Sequence, residues 1–254
     1  MYRPRVIPCL LLKDKGLVKT IKFKDPTYIG DPINAVKIFN DAKADELVFL
    51  DITATRENRI TDVEVIRNIG EEAFMPFAVG GGINTLEHIT QLISAGAEKV
   101  VINTATTNNP SLLTEASKIY GRQSIIASID VKKKGGEFVV YTDGGSIRST
   151  KSASATAKAA AEAGAGEILI NSIDQDGTQE GYDIELIKLI CNSVNIPVIA
   201  VGGAGDFDHF TDAVHNGGAS AVAAGSLFVF IGRKRAVLIN YPDSDELQEM
   251  FSNE

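Results

Sequence analysis

Residues 76–82, Pro-Phe-Ala-Val-Gly-Gly-Gly, and residues 197–203, Pro-Val-Ile-Ala-Val-Gly-Gly, decide the fold of this chain. Each stretch joins a short apolar run directly to glycines, which is typical of a buried strand that ends in a loop. The two stretches lie 121 positions apart, so a strand and its following loop occur twice in the sequence.

The repeat extends beyond these two stretches. Residues 7–16 align with residues 126–135 at an offset of 119 positions. The offset of 121 aligns further pairs: Glu46–Leu50 with Glu167–Asn171, His88 with His209, Thr90 with Thr211, and Gly96 with Gly217. The sequence therefore predicts two similar halves, about residues 1–122 and 123–254.

Eight apolar runs of strand length alternate with helical patterns. They are almost continuous in Val, Ile, Leu and Ala, as expected for parallel strands that are covered on both faces. The runs are Val6–Leu12, Glu46–Ile52, Pro76–Val79, Lys99–Asn103, Ser124–Asp130, Glu167–Asn171, Pro197–Val201 and Ser220–Ala224. With 254 residues in total, close to the roughly 250 that such a fold needs, the chain is predicted to be an α/β protein. We expect a single (βα)8 TIM barrel over residues 1–254, built from two (βα)4 half-repeats.

Helix-start signals fall between the predicted strands. Asp31 followed by Pro32 is typical of a helix start. Thr61 followed by Glu64, and Asn84 followed by Glu87, have the spacing of a capping box. We therefore expect helices to begin at these three positions.

The composition excludes several classes of protein. A net charge of −8 argues against nucleic acid or an anionic membrane as a general partner, and no apolar run reaches the roughly 18 residues of a membrane span. Cys9 and Cys191 fit neither a disulfide framework nor a zinc site, so a cytoplasmic location is expected. The three histidines lie in helical segments away from the strand ends, and no metal is predicted.

Polar side chains follow several of the predicted strands. In a (βα)8 barrel the active site lies at the C-terminal ends of the strands, which we refer to as the mouth. A single Asp or Asn there often only caps a helix or starts a turn, but several on separate strands predict a shared site. The candidates are Asp51, Asn103, Thr104, Asp130, Asn171, Ser172, Asp174, Asp176 and Ser226.

Glycine loops add a second signal at the mouth. Gly81 and Gly82 follow one strand, and Gly202 and Gly203 follow its repeat, where free backbone N–H groups before a helix can bind an anion. In each half the next strand is followed by a further polar pair, Asn103-Thr104 or Gly225-Ser226. Glycine also permits tight turns, but the recurrence predicts two phosphate sites facing one mouth, and a substrate with a phosphate at each end.

These motifs resemble the cyclase subunit of imidazole glycerol phosphate synthase, a family of histidine biosynthesis, over nearly the whole chain. The matching stretches are Ile7–Cys9, Glu46–Ile52, Val79–Ile83, Ile102–Ala105, Gly164–Glu167, Ser172–Thr178, Gly181–Asp183 and Gly202–Gly205. The resemblance implies a lyase or cyclase type of enzyme without a cofactor. Such a barrel combines ammonia with a bis-phosphate ribulosyl aminoimidazole compound, giving imidazole glycerol phosphate and an aminoimidazole carboxamide ribotide.

The resemblance also implies roles for individual residues. The family's ammonia gate matches Arg5, Glu46, Lys99 and Glu167, at the starts of four strands, with a class I glutaminase subunit bound at that N-terminal face. A simple cluster of stabilising ion pairs is the alternative, although isolated buried pairs add little net stability. Asp130 matches a catalytic acid and Lys19 a lysine that binds or encloses substrate, while Asp176 and Gly177 match the phosphate-binding set.

One departure from the family pattern alters the expected function. Leu11 stands where the family has a second catalytic Asp, and the internal repeat aligns Leu11 with Asp130. A leucine cannot transfer protons, which leaves Asp130 as the lone central carboxylate.

Together with Cys9–Leu12, Gly16–Thr20, Phe23–Pro26, Gly30–Ala35 and Arg235–Pro242, the Leu11 departure resembles a divergent branch of the family. That branch accompanies a sugar amidotransferase in making surface polysaccharides such as lipopolysaccharide O-antigen. We therefore expect a barrel that receives ammonia from a glutaminase for amidation of a sugar.

Three alternatives remain at this stage. The chain could be a working histidine-pathway cyclase that uses Asp130 with Asp51 or Asp176, or a structural adaptor whose pocket is a relic. The related sugar-isomerase barrel shares the two-phosphate half-repeat, but Leu11 and the charges at the strand starts count against it.

Overall fold

A computed structural model describes residues 3–232 and 235–252 and consists of alternating strands and helices. The strands are β1 (Arg5–Lys13), β2 (Gly16–Ile21), β3 (Lys24–Gly30), β4 (Leu47–Asp51), β5 (Phe77–Gly80), β6 (Lys99–Ile102), β7 (Ile125–Lys134), β8 (Glu137–Thr142), β9 (Ile147–Ser152), β10 (Glu167–Ser172), β11 (Val198–Val201), β12 (Ala221–Ala224), β13 (Phe230–Ile231) and β14 (Ala236–Val237). The helices are α1 (Pro32–Asp41), α2 (Val63–Glu72), α3 (Leu86–Ser94), α4 (Thr104–Asn108), α5 (Ser111–Tyr120), α6 (Ala153–Glu162), α7 (Ile184–Cys191), α8 (Asp208–His215) and α9 (Ser244–Ser252).

Eight parallel strands close into a barrel in the order β1, β4, β5, β6, β7, β10, β11 and β12, and β12 pairs back with β1. The predicted (βα)8 barrel is confirmed. Each of the eight predicted strands is present, and only β7 differs by more than two residues at either end. It continues to Lys134 because it pairs there with β8.

The barrel strands are covered on both faces. Inside the barrel an apolar cluster includes Ile7, Val48, Ala78, Val101, Ile126, Leu169, Ile199, Ala221 and Ala223. A larger cluster packs the outer faces of the strands against the helices. Burial on both sides explains why the strand sequences do not alternate between polar and apolar residues.

Each half inserts a β-hairpin at the mouth after its first barrel strand. The first hairpin is β2 with β3, and the second is β8 with β9. Neither hairpin was expected from the sequence, although the turn of the second one contains Asp143-Gly144, a usual marker. In the turn of the first one, Lys22 and Phe23 adopt positive φ angles of 53° and 62°, although Asn-Gly or Asp-Gly is the usual choice for such a turn.

The segment after β12 begins with one 3-10 turn, Ser226–Phe228, and not with an α-helix. It continues with the short hairpin β13–β14 and then an extended stretch. The Tyr241 hydroxyl donates to the Val6 carbonyl at 2.8 Å and accepts from the Asp45 N–H at 3.3 Å, which ties this stretch to the N-terminal end of the barrel. Among the described residues, none of the helices combines the length and apolarity that crossing a membrane requires.

Helix starts follow the sequence signals with two corrections. Asp31 caps α1 as predicted, by accepting from the Asn34 N–H. Helix α2 is capped by Asp62, which accepts from the Glu64 N–H, because the Thr61 hydroxyl donates instead to the Gly80 carbonyl of β5. Helix α3 is likewise capped one residue late, by Thr85 instead of Asn84.

The cap of α2 gives a test of this assignment. We expect Asp62→Ala to lower the free energy of unfolding by about 1 kcal/mol, since the cap hydrogen bond is lost. Urea unfolding monitored by circular dichroism measures the change. Glu71→Ala, at the exposed end of the same helix, is the control and should change stability by less than about 0.5 kcal/mol; an equal loss in both variants would contradict the cap.

Candidate functional site

A cavity of about 590 Å³ opens at the mouth of the barrel. It brings together residues from both halves, as the sequence predicted: Asp51, Gly81, Gly82, Asn103, Thr104, Asp130, Asn171 and Asp176. A smaller cavity of about 40 Å³ adjoins it and is lined by Lys19, Asp176, Gly177, Gly202, Gly203, Gly225 and Ser226. We name the Gly81, Gly82, Asn103 and Thr104 group the first-half site, and the group around the smaller cavity the second-half site.

The glycine loops at the two sites are closely packed. Gly82 has a φ of 68°, and a Cβ atom there would lie 1.8 Å from the Arg59 carbonyl oxygen. Its repeat partner Gly203 has a φ of 120°, and a Cβ atom would lie 2.0 Å from the Gly181 carbonyl oxygen. Loop packing alone therefore requires glycine at both positions, independently of any ligand.

Asp130 is the central carboxylate of the mouth. It lies on β7 and is only 7% exposed. Burial, together with the negative charge of Asp176, raises the pKa of Asp130 to about 7, although the amides of Asn103 and Asn171 offset part of the rise. A carboxyl group with this pKa can donate or accept a proton near neutral pH.

Asn171 lies beside Asp130 on the neighbouring strand, since the two residues are register partners of β7 and β10. The Oδ1 atom of Asn171 is buried and has no hydrogen-bond partner among the described residues. A buried acceptor without a partner is costly. Asn171 lines the large cavity, so a ligand donor could satisfy it.

The two halves differ at this point in the barrel. Leu11 and Leu50 are register partners of β1 and β4, and the repeat aligns them with Asp130 and Asn171. Both leucines line the large cavity. The mouth therefore has one apolar side and one polar side.

Lys19 lies in β2, not in an open loop. It is only 5% exposed, and its Nζ atom donates to the Cys9 carbonyl at 2.6 Å. Burial lowers the pKa of Lys19, while the neighbouring Cys9 and Asp176 act in the opposite direction. An ammonium group with this environment can bind an anion that enters the second-half site.

Asp176 holds the first hairpin over the mouth. Its carboxylate accepts from the Thr20 hydroxyl at 2.9 Å and from the Phe23 N–H at 3.3 Å, and its carbonyl accepts from the Lys22 N–H at 2.8 Å. Burial raises the pKa of Asp176 despite these bonds. Asp176 is therefore already engaged with the hairpin, whereas the sequence suggested phosphate binding or a catalytic role beside Asp130.

Two other predicted acids have structural partners. Asp174 accepts from the Lys133 N–H at 2.8 Å and does not line the large cavity, so its role in the pocket stays a prediction. Asp51 lines the cavity but is paired with Arg59 at 2.6 Å, and it accepts from two backbone N–H groups of its own loop. Arg59 was not among the predicted site residues, because it lies in the loop and not at the end of a strand.

Four charged side chains form a closed ring at the opposite end of the barrel, which we name the charge ring (Arg5, Glu46, Lys99 and Glu167). Lys99 bridges Glu46 and Glu167, each at 2.9 Å. Arg5 bonds to Glu46 and, at 2.6 Å, to Glu167. Burial raises the pKa of Glu167, but the hydrogen bond from Arg5 and the Lys99 charge outweigh this and hold it below its usual value.

The barrel interior connects the charge ring to the mouth. Between the two ends it is lined by the small and branched apolar side chains of the inner cluster. Such an interior excludes ions, because an unpaired charge there would lose its hydration. A small neutral molecule would not incur this cost.

The fold and the site define the class of this protein. It is a closed (βα)8 barrel with a polar mouth and a charged floor. The model of the family of histidine biosynthesis proteins matches residues 5–232, and the chain belongs to that family.

Individual relatives are similar over almost their full length. The chain is 51% identical over 248 residues to a Pseudomonas aeruginosa protein that has the provisional name imidazole glycerol phosphate synthase subunit hisF2, covering 97% of this chain and 99% of that protein. It is 44% identical over 229 residues to imidazole glycerol phosphate synthase subunit HisF of Alkaliphilus metalliredigens, covering 90% and 91% of the two chains. The predicted family resemblance is thus confirmed.

The raised pKa of Asp130 predicts an unusual dependence of stability on pH. Because the folded state binds this proton more tightly than the unfolded chain does, the stabilisation is complete below about pH 4 and is lost as the pH rises through about 7. Relative to the native protein, Asp130→Asn should gain about 2 to 3 kcal/mol between pH 5 and pH 8. Urea unfolding at each pH measures the difference.

Asp14→Asn is the matched control, since Asp14 is exposed in a turn at the same end of the barrel. Its stability relative to the native protein should not vary over this pH range. A difference between Asp130→Asn and the native protein that stays constant from pH 5 to pH 8 would contradict the raised pKa.

Proposed function

We propose that this chain is a cyclase-type synthase subunit that receives ammonia from a class I glutaminase at its N-terminal face. Ammonia passes through the barrel to the mouth, where a small phosphorylated substrate binds. The ammonia is used to amidate a surface-polysaccharide sugar, in cooperation with a sugar amidotransferase. The family membership and the subunit names of the relatives support the general assignment.

The proposal depends on one observation: the charge ring forms the floor of a barrel whose interior is apolar. Its two acids and two bases alternate around the floor, so each charge is neutralised by two neighbours. A ring of this kind closes the barrel to ions, and displacement of one base would open it. Net stability alone is a weak reason for such a cluster, because desolvation offsets much of the attraction.

Leu11 supports amidation over cyclisation. Ring closure with general acid–base catalysis needs one group to donate a proton and another to accept one. With Leu11 and Leu50 on one side of the mouth, Asp130 faces no second carboxylate there. Delivery of ammonia to a partner needs no acid at position 11, so the substitution is compatible with it.

A histidine-pathway cyclase is the second candidate, and the environment of Asp130 favours it. A group with a pKa of about 7 can serve as an acid in one step and as a base in another. Such an enzyme would form imidazole glycerol phosphate and aminoimidazole carboxamide ribotide with a single carboxylate. The two candidates share the charge ring and differ in the chemistry at the mouth.

Turnover of the bis-phosphate ribulosyl substrate with an ammonium salt separates the candidates, because ammonium removes the need for a glutaminase. We expect no cyclisation by the native protein and measurable cyclisation by Leu11→Asp, which restores the second carboxylate. Product formation is followed by chromatography. Leu11→Asn, similar in size but unable to act as an acid, is the control for polarity alone.

Cyclisation by the native protein that is lost in Asp130→Asn would contradict the amidation proposal and establish a cyclase. Activity that appears equally in Leu11→Asp and Leu11→Asn would mean that the second carboxylate is not the missing element.

The N-terminal face offers a test of the glutaminase partner. Phe74 is 86% exposed and lies between α2 and β5, at the end of the barrel that holds the charge ring. We expect Phe74→Asp to weaken binding of the co-expressed glutaminase at least tenfold, as loss of a central aromatic contact does. Ile147→Asp, at an exposed apolar position of the mouth, is the control; equal binding by both variants would contradict docking at the N-terminal face.

A further inference from the structure

Arg56 follows β4 and lines the large cavity together with the first-half site. Its Nη2 atom donates to the Gly144 carbonyl at 3.1 Å. Arg59 in the same loop is paired with Asp51 and Glu57. None of the ion pairs among the described residues involves Arg56, so its charge is available to a ligand.

The second hairpin places Arg56 close to the first-half site. The Asp143 N–H donates to the Thr104 hydroxyl at 3.1 Å, and the next residue, Gly144, binds Arg56. Consecutive Cα atoms are about 3.8 Å apart. One turn of the hairpin therefore brings the Arg56 guanidinium and the Thr104 side chain into the same neighbourhood. The nearby Asp143 carboxylate bonds to the Ser146 hydroxyl at 3.3 Å.

The loop that contains Arg56 also surrounds the glycines of this site. A Cβ atom on Gly82 would strike the Arg59 carbonyl, and one on Gly81 would lie 2.8 Å from Asp51 Cβ. Asp51 and Arg59 mark the two ends of the loop, and Arg56 lies between them. The loop is thus packed directly against the backbone that would bind an anion.

The two halves differ in which element supplies a cation to the mouth. Arg56 aligns with Gly177 of the second half, where a Cβ atom would lie 2.1 Å from the Thr20 carbonyl oxygen. No side chain fits there, and the cation of the second-half site comes instead from Lys19 of the first hairpin. Leu11 pairs with Val18 and its equivalent Asp130 pairs with Tyr141, so Lys19 corresponds to Thr142 of the second hairpin, which has no charge. The cation beside each half-site is therefore supplied by a different element: Arg56 by the loop after β4, and Lys19 by the first hairpin.

We infer that Arg56 binds the phosphate group of a phosphomonoester at the first-half site, in the way that Lys19 is placed to do at the second-half site. The inference rests on the proposed function insofar as that function includes a phosphorylated ligand at the mouth. A guanidinium can bind a phosphate through two parallel hydrogen bonds. Arg56 thereby becomes a specificity residue for the end of the ligand that occupies the larger cavity.

Calorimetric titration with inorganic phosphate at fixed ionic strength tests the inference on the full chain. The native protein should bind phosphate at two sites. Arg56→Ser should weaken one site about tenfold, the usual effect of losing a charge-assisted hydrogen bond, and leave the other unchanged. Lys19→Gln should weaken the other site, and Arg56→Lys should recover part of the lost affinity.

Lys132→Gln is the matched control. Lys132 donates to the Gly145 carbonyl at 3.2 Å, beside the residue that binds Arg56, but it does not line the large cavity. Removing this charge should leave both dissociation constants within about twofold, because Lys132 does not line the cavity in which the ligand binds.

The remaining outcomes overturn either the role of Arg56 or the phosphorylated ligand of the proposed function. If the native protein binds phosphate and Arg56→Ser weakens neither site, or both equally, the role of Arg56 is wrong. The same holds if Lys132→Gln has as large an effect as Arg56→Ser. If the native protein binds no phosphate at all, the phosphorylated ligand of the proposed function is wrong, and the role of Arg56 falls with it.

Discussion

A charge buried inside this barrel needs an opposite charge or a set of hydrogen bonds, and this constraint separates the two ends of the molecule. At the floor, the side chain of Glu46 is only 3% exposed, yet it is bonded to both Arg5 and Lys99. At the mouth, Lys19 is buried with a single carbonyl acceptor. The charges at the floor are paired with one another, whereas the charge of Lys19 at the mouth could be paired by a ligand.

The same constraint explains how the two halves have diverged. Their strands, loops and hairpins occupy matching positions, and even the repeated histidines share a role. His88 accepts from the Asn84 N–H, and His209 accepts from the Gly205 N–H, which is the repeat partner. Divergence is concentrated where polar groups enter the mouth. There, Leu11 replaces the equivalent of Asp130 and brings no polar atom of its own that would need a partner.

The sequence predicted the barrel well because its signals are local and repeated. Continuous apolar strands and recurring glycine loops at one offset leave few alternatives to two fourfold halves. It failed where tertiary contacts decide. Thr61 has the pattern of a cap, but its hydroxyl bonds to a strand carbonyl. The first hairpin was missed because Lys22 and Phe23 adopt positive φ angles that their residue types rarely adopt, whereas Asp143-Gly144 in the second hairpin is a usual turn pair.

The sequence indicated which residues belong to the candidate site, but not how burial and neighbouring charges change their properties. Strand ends identified Asp130 and Asn171, and the family resemblance identified the charge ring. Their relative importance depends on burial and on neighbouring charge, which the sequence does not specify. Asp130 has a pKa near 7 because it is buried and because Asp176 is close, while Asp51 is held by Arg59.

An acid at position 11 would add a second carboxylate to this mouth and raise the proton affinity of both groups. With Leu11 in place, the protonation of Asp130 depends on burial, on Asp176 and on whatever ligand arrives. A bound phosphate would add negative charge and favour the protonated form, so binding of a phosphorylated ligand would be coupled to proton uptake at Asp130.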